Sequence, residues 1–166
     1  MMKKIKTLMI AAIALVGFQT VNAQAKTAHV DVNELMSKMP AVLDAQNQLK
    51  KLSDTYTAEY KTMVEEYQGK LKKYDAEAST VTDAVNQTRQ QEVQDMAKRI
   101  SDYQETAQKD LQKKESDLMK PITDKVKASI QKVGKVKGYQ YVINAADLLL
   151  ADGPDLTADI KKDLGF

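Results

Sequence analysis

His29 is the only histidine of the 166-residue sequence and there is no cysteine, so no imidazole pair, thiolate nucleophile or cysteine metal site can be assembled. Carboxylates are plentiful, 23 in all, but they are spread among lysines along helix-forming stretches. That is how solvated helix faces are built rather than a convergent acid–base pair. Gly69-Lys70 and Gly134-Lys135 lack the earlier glycine of a phosphate-binding loop, and Asn86-Gln87-Thr88 fits a glycosylation acceptor only as a three-residue match. No residue is assigned to catalysis, metal or cofactor. The chain reads as a binding protein, not an enzyme.

The side chains left to do chemistry are aromatic and thioether. Tyr56, Tyr60, Met63, Tyr67, Tyr74, Met96 and Tyr103 lie at helical spacing in an otherwise charged region. Tyr is amphipathic and Met repacks around varied neighbours, so together they suit a surface that accepts many partners. The same residues at the same spacing also suit the seam between two helices. A second candidate is the segment holding Lys120, Lys125, Lys127, Lys132, Lys135 and Lys137. It could attract anionic groups, or serve only as a solvated face with favourable charge near a helix C-terminus.

The elements that carry these residues follow from composition. Between Pro40 and Gly134 the chain has one proline, Pro121, and one glycine, Gly69, among strong helix formers. Apolar positions from Leu49 to Val81, and again from Val93 to Val133, recur at a period near 3.6, the α-helical value. Ser79-Thr80-Val81-Thr82-Asp83 is the one cluster of capping and turn residues between them. An antiparallel register pairing Tyr74 with Arg89, Tyr67 with Met96, Tyr60 with Tyr103 and Leu52 with Leu111 centres the turn in the same place. Residues 40–134 are therefore predicted to form a long antiparallel helical hairpin, a coiled-coil-like arm turning near 79–83. Pro40 and Pro121, nearly opposite one another in that register, mark a hinge between arm and base.

Outside the arm the pattern shortens. Ala28–Val32 alternates, Tyr139–Asn144 and Leu148–Ala151 are β-prone, and Gly138 and Asp152-Gly153-Pro154 punctuate them. A closing helix is expected from about Thr157, with Thr157 as its cap. Residues 24–39 and 135–166 thus form a small α+β base with short strands. Two or three short strands are not stable alone and open edges invite pairing, so the base is expected to self-associate through Val30, Val32, Tyr141, Val142 and Ile143. The fold class is mainly α.

Residues 1–23 have the layout of a secretory signal peptide: Lys3, Lys4 and Lys6, an apolar run from Leu8 to Phe18, then small residues before cleavage after Ala23 or Ala25. That run is too short to span a membrane. Removing residues 1–23 takes three basic and no acidic side chains, leaving 22 against 23. A near-neutral chain gives no support for binding nucleic acid.

His29-Val30-Asp31-Val32-Asn33-Glu34-Leu35, Gly138-Tyr139-Gln140-Tyr141-Val142-Ile143-Asn144 and Asp155-Leu156-Thr157-Ala158-Asp159-Ile160, in that order around one long hairpin, resemble the Skp/OmpH family of periplasmic chaperones. The resemblance implies a homotrimer shaped like a clamp that holds unfolded outer-membrane proteins between its arms without ATP. Members of that family are often strongly basic, which this chain without its leader is not, so contact with lipid or lipopolysaccharide is not supported. The competing expectation is a structural or adaptor protein of the cell envelope with one fixed partner.

Overall fold

The structure is a computed structural model and describes residues 25–166; the expected leader and its cleavage after Ala23 lie outside them. Strand β1 (Thr27–Val30) leads into a short helix α1 (Val32–Lys38). The two long helices are α2 (Pro40–Glu77) and α3 (Asp83–Val136). Strand β2 (Tyr141–Asn144) and helix α4 (Thr157–Leu164) complete the chain.

Asp31 ends β1 because its side chain turns to cap the next element: its carboxylate accepts the Glu34 N–H at 2.8 Å. Val32, expected in the strand, therefore opens α1 instead. Pro40 opens α2 directly after Met39, where its missing N–H costs nothing. At 38 residues α2 is about 57 Å long, and α3 at 54 residues about 81 Å. Between them a single 3-10 turn, Ala78–Thr80, precedes Thr82, whose hydroxyl caps α3 by accepting the Val85 N–H at 3.4 Å. The Asn86 carboxamide reaches back to the Ala78 carbonyl at 2.9 Å and ties the reversal together. Helix α3 continues through Pro121.

β1 and β2 pair in parallel, Thr27 opposite Tyr141 through Val30 opposite Asn144. Parallel strands need a long crossover, and here the whole hairpin supplies it. On its other side β1 is bridged at His29 to Asp155: the His29 N–H donates to the Pro154 carbonyl and the Leu156 N–H to the His29 carbonyl, both at 2.9 Å. β1 thus sits in the middle, with Ala28, His29 and Val30 all buried, while the outer edge of β2 has no strand beside it among the described residues. The β-prone run Leu148–Ala151 forms no strand. Leu149 is fully exposed and Leu150 is 74% exposed, and with no strand pairing them among the described residues their propensity has nothing to act on.

The core lies in the base, not along the arm. Ala28, Val30, Leu35, Met39, Val42, Val126, Val133, Leu156 and Ile160 form one buried cluster. Helix α4 is fastened to it by polar contacts at both ends. Thr157 is the first helical residue, not the cap; its hydroxyl accepts the Asp31 N–H at 2.9 Å and donates to Asp155 at 2.6 Å. Lys161 pairs with Glu34 at 2.5 Å, and Asp163 takes both Ser129 and Lys132. Gly138, with φ of 77°, turns the chain from α3 towards β2, a conformation glycine adopts without strain.

Candidate binding surface

Along the arm, away from the Ser129 and Gly134 region that packs on the base, Ala45, Met96 and Ala107 are the buried positions outside the base cluster. Such a thin apolar seam leaves much of the joining to polar side chains. Tyr56 donates its phenol to Asp110 at 2.9 Å, and Tyr103 donates across the hairpin to Glu59. Nearer the tip, Glu92 receives both Lys70 and the Tyr74 phenol. Arg89 pairs with Glu77 at 2.5 Å and lays its guanidinium 4.6 Å from the centre of the Tyr74 ring. The expected neighbours Tyr74 and Arg89 do meet. The Tyr103 ring, expected beside Tyr60, instead stacks edge-on against Tyr56 at 5.9 Å.

These contacts set the electrostatics. Burial, and after it the bond to Glu59, pushes the Tyr103 phenol up to about 12. The hydrogen bonds from Lys70 and Tyr74 hold the Glu92 carboxyl below its usual range. The Tyr56, Tyr74 and Tyr103 phenols are therefore donors fixed in place, with ring faces rather than hydroxyls left for anything else.

Three of the seven expected binding residues come together. Tyr56, Tyr60 and Tyr103 line one open groove of about 730 Å³ between α2 and α3, with Leu49, Ala107 and Leu111. Met63, Tyr67 and Tyr74 lie half-buried towards the tip and Met96 is buried, all outside that groove. Gln104, Gln108 and Gln112 also line it. They carry no apolar periodicity and were not among the expected residues; their spacing of four was the available signal.

At the base, Val30 packs inside the chain's own core and Val32 and Val142 are half-buried against it. Tyr141 and Ile143 face outward from β2, 60% and 38% exposed. Val136, Leu149 and Leu150 in the adjoining stretch are exposed as well. His29 is buried within β1. Half of the basic segment is internally paired, Lys120 with Asp124, Lys132 with Asp163 and Lys137 with Asp159. Among the described residues no cluster of three or more His, Asp or Glu could hold a metal ion, and no helix is long and apolar enough to cross a membrane.

A two-helix arm rooted in a small α/β base that closes around its own N-terminal strand is the architecture of a recognisable class. Residues 26–164 match the family described as outer membrane protein (OmpH-like), and the chain belongs to that family. Its sequence is 23% identical over 151 residues to the chaperone protein Skp of Pectobacterium atrosepticum, covering 90% of this chain and 92% of that protein. In fold it resembles the crystal structure of an OmpH-like protein of Caulobacter crescentus CB15, a candidate outer membrane chaperone, with a TM-score of 0.77, 15% identity and coverage of 86% and 85% of the two chains.

Proposed function

We propose that this protein is an ATP-independent holdase chaperone of the periplasm, which binds unfolded outer-membrane proteins between the helical arms of a small homo-oligomer and prevents their aggregation. The observation that carries the reading is the arm itself: two helices running out from the base, with a seam of half-exposed tyrosines and an open groove. Weak contacts spread over such a surface suit clients that share no sequence. Membership of the OmpH-like family and likeness to a chaperone protein Skp support the same conclusion.

Self-association through the base completes the clamp. The open edge of β2, with Tyr141 and Ile143 facing outward, is the kind of strand edge that pairs with another copy. A trimer, in line with the family resemblance, would set three arms around one space. Pro40 and Pro121 would act as the hinge between arm and base. Export requires residues 1–23 to serve as the leader, removed after Ala23 or Ala25.

The test is aggregation of an unfolded outer-membrane barrel diluted from denaturant, followed by light scattering. Protein in excess is expected to keep the barrel soluble, and several unrelated unfolded proteins should be held with weak dependence on any one side chain. Unchanged scattering would remove the holdase reading. A single partner lost on one substitution would favour the adaptor instead.

A further inference from the structure

The groove between α2 and α3 has a lining unlike the rest of the arm. Elsewhere the two helices are covered with ion pairs one turn apart, such as Lys61–Glu65, Lys98–Asp102 and Lys113–Asp117. Inside the groove the charged side chains are Lys50 and Glu115, both at the end nearer the base. Between them and Tyr60 the lining is aromatic, aliphatic, hydroxyl and carboxamide. Away from that end the lining is neutral, which favours an occupant that is itself uncharged there, because a charge would lose water without finding an opposite charge in the lining.

One wall of that groove is a ladder. Gln104, Gln108 and Gln112 stand one turn apart on α3, about 6.0 Å from one to the next. Along one edge of an extended chain, backbone N–H and C=O groups recur every second residue, about 6.7 Å. Over the two steps of the ladder the mismatch is only about 1.4 Å, within the reach of flexible glutamine side chains. Like most glutamines of the arm, the three ladder carboxamides are exposed and make no side-chain hydrogen bond within the described chain. Unlike Gln48 and Gln91, which bond to Asp44 and Asp95 on their own helices, they need break no such bond to meet an occupant. Each can donate and accept at once, as an unpaired strand edge requires.

The opposite wall suits the side chains of such a strand. Leu49, Tyr56 and Tyr60 follow one another on α2, and from Leu49 to Tyr60 the helix rises about 16 Å, the length of about five extended residues. The Tyr56 and Tyr103 phenols are held by Asp110 and Glu59, so their rings are fixed before anything binds and lose little freedom on binding. Alternate side chains of an extended segment would meet these rings while its other side chains face water.

We propose that this groove seats one extended, uncharged segment of an unfolded chain with apolar residues at alternate positions, its backbone on the glutamine ladder and its apolar side chains against Tyr56, Tyr103 and Leu49. The proposal rests on the holdase reading and deepens it: the arm then selects segments destined to become half-buried strands.

The test uses the purified, folded protein and a fluorescent, end-blocked peptide alternating Val or Tyr with Thr, with a control of the same composition whose apolar residues are contiguous. Fluorescence anisotropy should show the alternating peptide binding about tenfold more tightly than the control, as a ladder that reads strand period requires. Two triple variants, Gln104→Glu with Gln108→Glu and Gln112→Glu, and the same three to Lys, keep strong helix formers on an exposed face. Both should weaken the alternating peptide about tenfold, since either sign of charge spoils a neutral seat, while circular dichroism stays unchanged. Equal binding of the two peptides, or no loss in either variant, overturns the proposal. So does concentration-dependent association of arms that the variants abolish, because the groove would then belong to a second copy. Suppression of barrel aggregation by the unsubstituted protein is scored separately: if it persists while the peptide results fail, the groove assignment falls and the holdase reading stands; if it is absent, that reading fails by itself.

Discussion

Glu34 is the side chain on which two elements converge. It accepts Lys161 of α4 and Lys38 of its own helix, and those bonds, that of Lys161 foremost, lower its carboxyl from 4.5 to about 2. A carboxyl with a depressed folded pKa stabilises above its unfolded value and loses that contribution as pH falls through the folded one. The window is therefore pH 4.5 down to about 2. Thermal melts followed by circular dichroism across that window should show a shallower acid slope in Glu34→Gln, with lower stability at neutral pH. Asp163, held low by Lys132 and Ser129, and Asp155, held low chiefly by the Thr157 hydroxyl, keep a slope of the same sign in the variant. At the seam, Tyr103→Phe removes the bond to Glu59 but leaves the ring against Tyr56. A loss of about 1 kcal/mol or less is expected in denaturant unfolding, against about 3 kcal/mol for Tyr103→Ala, which empties the ring's place as well. These residues show where sequence falls short. Tyrosine at helical spacing announced the seam, but which carboxylate each phenol would meet depends on how far apart the helices run, and periodicity carries no information on that.

For the elements, the close packing of α3 on β2 hangs on Gly134. A Cβ there would lie 2.9 Å from Cγ2 of Val142, too close for either to stay in place. In an exposed helix Gly→Ala would stabilise by about 1 kcal/mol, so the sign of this substitution is diagnostic. Gly134→Ala is expected to destabilise by about 1–2 kcal/mol, and the double variant with Val142→Ala should recover part of it in the same denaturant titration. The two long helices were legible because period and capping cluster agreed. Strand ends were not. Val32 alternates like a strand residue, yet the Asp31 cap takes it into α1. Leu148–Ala151 has strand composition, yet no strand pairs it among the described residues. Gln104, Gln108 and Gln112 carried no expectation at all, since nothing in a single helix reveals that a second one leaves a groove beside it.

In the whole molecule, arm and base divide the work of stability. The buried cluster belongs to the base, while the arm carries a thin seam and inter-helix polar contacts. Opening free energy should therefore fall from base to tip. Leu52→Asp or Ile100→Asp is expected to loosen an arm without changing the assembled mass, whereas Val142→Asp should lower it. Light scattering on both classes checks this, and identical masses would contradict the separation. Fold class and hairpin turn were readable from the sequence; the shape of the base was not, because its core joins residues from both ends of the chain.

That joining imposes an order of events. The Asp31 N–H bonds to Thr157, 126 positions further on, and β1 is completed only by β2 and the Pro154–Leu156 stretch. A chain delivered from its N-terminus must hold its first strand unpaired until nearly the last residue arrives, while the helices between can already coil. Such a polypeptide locks shut only once its tail has arrived, which is the order that the proposed export across a membrane would need.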